Sequence, residues 1–160
     1  MKPVVFLDFD GVIVTRDSIV ASIEDRRSRS TLRDRANQQI DPGLVENVSA
    51  LCLSIGAQIV ISSSWRGTSD EDRALLEDIL WNLGLDTSIA VVGQTPHLGT
   101  ERGREICAWL DRFRPGWERS SVLILDDDDD LEPLLDRWVK CSWIWGFGPE
   151  QLEQAKSMMR

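Results

Sequence analysis

Histidine is almost missing from this chain. His97 is the only one in 160 residues, so imidazole ligands alone cannot build a zinc site here. Cysteine is scarce as well. Cys52, Cys107 and Cys141 lie far apart in apolar surroundings, their number is odd, and no C-x-x-C spacing occurs. They read as reduced core residues of a cytoplasmic protein. No apolar run approaches the roughly 20 residues that cross a bilayer, so no membrane partner is expected. The opening MKPVVFLDFDG has a lysine and a short apolar run, but Asp8 and Asp10 cut the run off and argue against a signal peptide. Positive charge is also in short supply: 18 Lys and Arg face 27 Asp and Glu, a net charge of −9. That balance speaks against a broad electrostatic grip on nucleic acid.

What is present is unevenly spread. Residues 15–40 hold six arginines (Arg16, Arg26, Arg27, Arg29, Arg33, Arg35) against four acids (Asp17, Glu24, Asp25, Asp34), which makes that segment +2 and the remainder −11. It reads either as a local basic patch that guides an anionic substrate or as a solvated helix face. The rest of the composition, 42% hydrophobic and 28% charged, is that of an ordinary globular domain, and 160 residues suit one domain, 1–160.

Apolar strand-like runs at 3–8, 57–62, 88–93, 121–125 and 138–145 alternate with helical stripes at 41–55, 68–84, 102–113 and 149–159. Ser69 with Asp72 resembles a capping box, and Gly56 and Gly84 supply helix stops. A short helix is expected to start near Asp129 or Asp130. Alternating strands and helices predict an α/β fold, a Rossmann-like three-layer sandwich with a mainly parallel five-stranded sheet. Residues 14–40 fit the pattern least and predict a small cap or substrate-binding insertion, or a loop with a helix.

In such sheets ligands gather at the carboxyl ends of the strands. Those ends read Asp8-Phe9-Asp10-Gly11, then Ser62-Ser63-Ser64-Trp65-Arg66, then Gly93-Gln94-Thr95-Pro96, then Asp126-Asp127. If the first and fourth strands are neighbours, their carboxylates converge. Two carboxylates about 4 Å apart repel by ~4 kcal/mol at an effective dielectric of 20, so such a cluster takes up protons or binds a cation. Oxygen ligands without His or Cys favour a hard ion, most simply Mg²⁺, which keeps waters and takes a substrate phosphate. Asp8 is placed to attack phosphorus, and Asp10 to protonate the leaving oxygen and then activate water. The hydroxyls after the second strand can hold phosphate oxygens, and Arg102 or Arg104 can balance the remaining charge.

The segments VVFLDFDGVIV, IVISSSWR, RGREICAWL and VLILDDDDD resemble, in that order, the four motifs of the haloacid dehalogenase (HAD) superfamily. The closer likeness, carried by SSWR and RGREICAWL, is to small HAD domains of RNA-repair proteins and to the phosphatase half of polynucleotide kinase-phosphatase. The resemblance covers most of residues 3–130, with 14–40 outside it. It implies Asp8 as nucleophile and Asp10 as acid and base. It implies Mg²⁺ held by Asp8, the Asp10 backbone carbonyl and an aspartate after the fourth strand, Asp126 or Asp127. It also implies a phosphate-binding hydroxyl, here Ser63 with Ser62 next, and an arginine, Arg102 or Arg104, where the commoner residue is lysine. The function expected from it is removal of a terminal 3′-phosphate from an RNA or DNA end, beside a kinase or ligase partner. The rivals are a phosphatase of free nucleotides or other small phosphoesters, and a non-catalytic metal-binding or interaction module. A receiver domain is disfavoured, because there the acidic pair comes first and a lone aspartate follows. Trp138, Trp143 and Trp145 read as strand and core packing or as a base-stacking surface.

Overall fold

The computed structural model describes residues 1–25, 27 and 30–160; Arg26 and Arg29 of the arginine-rich segment lie outside the described residues. Five strands, Val4–Leu7 (β1), Gln58–Ile61 (β2), Val91–Gln94 (β3), Val122–Asp126 (β4) and Trp138–Lys140 (β5), form one sheet in the order β3-β2-β1-β4-β5. Every neighbouring pair is parallel. The helices are Arg16–Ile23 (α1), Leu32–Gln39 (α2), Pro42–Ile55 (α3), Asp70–Asn82 (α4), Arg102–Phe113 (α5) and Pro149–Met158 (α6).

The central strands are apolar on both faces because both faces are covered. Val5, Leu7, Ile59, Ile61, Leu123 and Leu125 join a core with Val48 and Leu51 of α3, Leu76 and Leu80 of α4, and Ala155 of α6. Phe6, Val60 and Ile124 face the other way, toward Ile106, Trp109 and Leu110 of α5. Each fully buried Val, Ile, Leu or Phe contributes roughly 1.5–3 kcal/mol. The three-layer α/β sandwich predicted from the sequence is thus the observed one.

Local chemistry sets the helix ends. The Asp41 carboxylate accepts from Gly43 N ahead of α3, and Gly56, at φ 67°, closes that helix. Ser69 and Asp72 form the expected reciprocal capping box on α4. Residues 14–40 form two helices rather than a loop with one. Thr15 caps α1 through Ser18 N, and Thr31 caps α2 through Asp34 N.

Three sequence-based expectations fail. No α-helix starts at Asp129 or Asp130; the next helical piece is a single 3₁₀ turn, Leu135–Arg137. The reason is tertiary, since Asp130 is already committed to another helix. The fifth strand stops at Lys140 rather than running to 145. The Ser142 carbonyl accepts from Trp145 N and Gly146 N, and Gly146 sits at φ 64°, so Trp143 to Trp145 form a turn that leaves the sheet. The third strand also begins later than expected, at Val91, because Asp86 ties Ser88 N into a turn.

From β1 the chain builds outward to β2 and β3, then crosses back to lay β4 on the other side of β1. The order therefore reverses at the β1–β4 pair, where an open parallel sheet leaves a crevice at its carboxyl end.

Candidate active site

Sheet register places the first groups. Leu7 pairs with both Ile61 and Leu125, and the ladder runs one step further through Ser62 N to the Leu7 carbonyl and Asp8 N to the Leu125 carbonyl. Asp8, Ser62 and Asp126 therefore stand level at three adjacent strand tips. By strand alternation they share the side of Phe6, Val60 and Ile124. Asp8 and Asp126 are buried, at 4% and 1% exposure. Asp127 follows outside the strand, so alternation does not carry it away. One carboxylate oxygen each from Asp8, Asp126 and Asp127 lies within 4.8 Å of the others.

A tight turn makes room for that third carboxylate. The Phe9 carbonyl accepts from Val12, Ile13 and Val14, and Gly11 sits at φ 79°. A Cβ on Gly11 would stand 2.4 Å from Asp127 Cγ. Both the positive φ and the close approach require glycine.

The electrostatics follow from burial. The Arg102 guanidinium bridges Asp8 Oδ2 at 3.0 Å and Asp126 Oδ2 at 2.7 Å. Phe9 N donates to Asp8 Oδ1, and Asp128 N to Asp126 Oδ1. Even so, burial first and the Asp126 charge second push the Asp8 carboxyl up to about 8. Burial pushes Asp126 up to about 6 against the pull of Arg102, and it raises Asp127 as well. Burial weakens the Arg102 guanidinium, but Asp8 and Asp126 outweigh it and raise its pKa. One cation facing three carboxylates leaves the cluster short of positive charge. Oxygen donors this close, without His or Cys, suit a hard divalent ion.

Arg102 is aimed by the aspartate run. Asp130 Oδ2 accepts from Arg102 N at 3.2 Å and the Asp130 carbonyl from Gly103 N at 3.0 Å, so Asp130 caps α5 across space. Gly103 lets the two segments meet, because a Cβ there would lie 2.2 Å from the Glu132 carbonyl oxygen.

Asp10 is held from the loop after β2. Trp65 Nε1 donates to its Oδ1 at 3.2 Å, and Ser64 Oγ lies 3.4 Å from its Oδ2. Arg35 of α2 stacks on the Trp65 ring, Cζ 3.8 Å from the centroid, and Phe9 packs beside the same ring. Among the described residues, Arg35 carries the 14–40 insertion to the site. Ser64 and Arg35 carried no sequence signal of this role. The pattern SSSWR offers Trp65 and Arg66 as residues that line the site, or Trp65 as packing over the sheet end, but no local signal carries the indole N–H contact with Asp10.

The two candidate hydroxyls differ. Ser63 Oγ accepts from Trp65 N at 3.2 Å. Ser62 Oγ is buried and is one of two such side-chain atoms among the described residues without a partner; the other is Asp130 Oδ1. A buried hydroxyl on the Asp8 side of the sheet with nothing to bond is placed for an incoming oxygen. The arginines differ too. Arg102 meets the carboxylates, whereas Arg104 is exposed and pairs with Glu101 at 3.3 Å, away from the cluster. Arg66 does not face the site. Its guanidinium is buried, bonds Glu105 Oε2 at 2.8 Å, and donates to the carbonyls of Ser63, Thr95 and Pro96. His97 is exposed beside β3, where it lines a cavity of about 590 Å³ that includes none of the clustered aspartates.

A parallel sheet whose three central tips bring together a D-x-D turn, a buried hydroxyl and a second acidic pair, with a helix-borne arginine beside them, defines a HAD-type domain. The family model described as "HAD domain in Swiss Army Knife RNA repair proteins" matches residues 4–152, and the chain belongs to that family. No curated protein and no solved structure matches it.

Proposed function

We propose that the protein is a Mg²⁺-dependent phosphomonoesterase that works through an aspartyl-phosphate on Asp8 and removes a terminal 3′-phosphate from a nucleic-acid end. The observation that carries the reading is the convergence of Asp8, Asp126 and Asp127 within 4.8 Å, with Arg102 bridging two of them and Asp10 two residues further along. The donor set fits a divalent cation held by Asp8, the Asp10 carbonyl and Asp126 or Asp127. Such an ion, when bound, neutralises charge on the phosphoryl oxygens.

The chain's own residues supply the rest. An Asp8 carboxylate oxygen forms the bond to phosphorus as the bond to the leaving oxygen breaks. Asp10, held by Trp65 and Ser64, gives that oxygen its proton. In the second half Asp10 takes a proton from water, whose oxygen bonds phosphorus and releases Asp8 and inorganic phosphate. Ser62 and Arg102 bind phosphoryl oxygens. Family membership supports a phosphatase, and the printed association with RNA repair supports the nucleic-acid end. A 3′-hydroxyl end is a substrate for sealing, so a kinase or ligase activity is the expected companion.

The test measures phosphate release from p-nitrophenyl phosphate, a 3′-phosphorylated oligonucleotide and a 3′-mononucleotide, with Mg²⁺ and with EDTA. Turnover should require the metal and favour the oligonucleotide. Asp8→Asn should fall below about 10⁻³ of wild type while remaining folded. Asp126→Asn and Asp127→Asn should lose far more activity than Asp128→Asn. Turnover in Asp8→Asn near the wild-type level would overturn the mechanism.

A further inference from the structure

Large apolar side chains belong inside, and most of the seven tryptophans here obey: Trp65 and Trp109 are buried, and Trp81, Trp117 and Trp138 are half-buried. Trp143 and Trp145 do not. They are 40% and 72% exposed, on a turn that also shows Ile144. Packing does not account for this turn, since the strand ends before it and the core lies behind it.

The turn is fixed beside the site. Phe147 N donates to the Val12 carbonyl at 2.8 Å and Arg16 N to the Trp143 carbonyl at 2.9 Å, so it is tied at both ends to the segment that follows Asp10 and Gly11. Cys141 N donates to the Asp126 carbonyl, which ties its root to the metal-site strand. Gly146 permits this closeness, because a Cβ there would lie 2.6 Å from the Val12 carbonyl oxygen.

The surroundings indicate what it meets. Arg16, adjoining the turn, has its side chain 58% exposed; its 3.7 Å contact with the solvated Asp17 is a weak constraint. Arg35, exposed on the same two-helix insertion, contacts Trp65 and Gln39 and, among the described residues, has no carboxylate in hydrogen-bond range. Exposed indoles adjoining the exposed Arg16, with Arg35 exposed over Trp65 on the loop that holds Asp10, form on an otherwise strongly negative body a surface for an anion that carries flat aromatic rings. An acidic or neutral protein face would use the indoles but gives no reason for exposed cations on the segment after Asp10 and over the Trp65 ring that holds Asp10.

We propose that the Trp143–Trp145 turn is a stacking platform for the unpaired nucleobases next to the phosphate, with Arg16 and Arg35 following the strand's backbone toward Asp8. This rests on the reading of the aspartate cluster as a nucleic-acid-end phosphatase and adds how the strand is held. Stacking on an aromatic tolerates any base, so the platform selects single strands and not sequence.

The test uses the full chain and W143A, W145A and the double variant. Binding of a fluorescein-labelled eight-nucleotide single strand with a 3′-hydroxyl is read by anisotropy, and steady-state kinetics are run with the 3′-phosphorylated strand and with p-nitrophenyl phosphate. Each substitution should raise the strand's Kd and KM about fivefold or more, and leave kcat and all p-nitrophenyl phosphate parameters within twofold. A duplex with a blunt phosphorylated end should lose little. Unchanged strand affinity in the double variant overturns the proposal. So does an equal loss on p-nitrophenyl phosphate, which makes the turn a support of the site. A wild-type dimer that the double variant dissolves, with strand affinity intact, overturns it in favour of a second copy. If the wild type hydrolyses nothing, the phosphatase reading fails, and the anisotropy arm still judges the platform alone.

Discussion

The indole N–H of Trp65 donates to Asp10 Oδ1 at 3.2 Å, which fixes the carboxylate proposed to protonate the leaving group. Trp65→Phe keeps the ring against Phe9 and Arg35 but deletes this donor. We expect about a tenfold loss of kcat on alkyl or ribosyl phosphates, whose leaving oxygens need a proton. On p-nitrophenyl phosphate, whose leaving group departs as an anion, the loss should stay under about threefold. Equal losses on both substrates would show that Trp65 acts on the fold and not through Asp10.

Ser62 and Ser63 should separate in opposite ways. Ser62 Oγ has no partner among the described residues, so Ser62→Ala removes a buried polar group at no cost, and the melting temperature should hold or rise. If that hydroxyl binds phosphate, KM should rise about tenfold. Ser63→Ala deletes the acceptor of Trp65 N and should destabilise by about 1 kcal/mol. Melting curves and Michaelis constants for both variants check this.

The cation site should be pH-sensitive. Without an ion, burial and mutual repulsion hold Asp8 near 8 and Asp126 near 6, and a cation requires both ionised. Apparent Mg²⁺ affinity should therefore climb between pH 6 and 8, with proton release that calorimetry in two buffers detects. The sign for stability is the reverse. The folded Asp8 pKa lies above its ordinary value of 3.8, so the stability it lends below pH 4 is lost as pH rises toward 8. In EDTA at pH 8, Asp8→Asn should melt about 3 °C or more above wild type, and the gap should narrow as pH falls toward 5 and close only below about pH 4.

Arg66 and Glu105 form a buried pair that joins the loops after β2 and β3 to α5. Glu105→Ala leaves a guanidinium buried without its charge partner and should cost about 3–5 kcal/mol. Replacing both by apolar residues, Arg66→Met with Glu105→Leu, should recover part of that loss in urea unfolding.

Gly103 has no room for a methyl against the backbone of Leu131 and Glu132. Gly103→Ala should destabilise by about 2 kcal/mol and move Arg102 off Asp8 and Asp126. Lower stability with Mg²⁺ affinity and KM unchanged would show that the arginine does not depend on this contact.

How much of this was legible beforehand depends on the range of the interaction. Hydrophobic period and strand length located the first four strands closely but overran the fifth, and the alternation of elements implied the parallel sheet. The short-range capping box of Ser69 and Asp72 was legible because each side chain lies within four residues of the backbone group it bonds. The convergence of Asp8 with Asp126 followed once β1 and β4 were taken as neighbours. The five aspartates, residues 126–130, were only half legible. Asp126 and Asp127 meet Asp8 as expected, but Asp130 caps α5, 28 residues earlier in the chain, and not a helix of its own.

The sequence by itself determined the layers, the strand tips and the acidic and hydroxyl groups at those tips, because periodicity and local turn chemistry act over a few residues. Only the tertiary structure decided which of two serines is left unbonded and which of two arginines faces the carboxylates. It alone decided that Trp65 holds Asp10, that Arg66 is spent inside, and that Trp143 and Trp145 stand in solvent. Those outcomes depend on which distant backbone reaches a side chain first, and no local pattern carries that information.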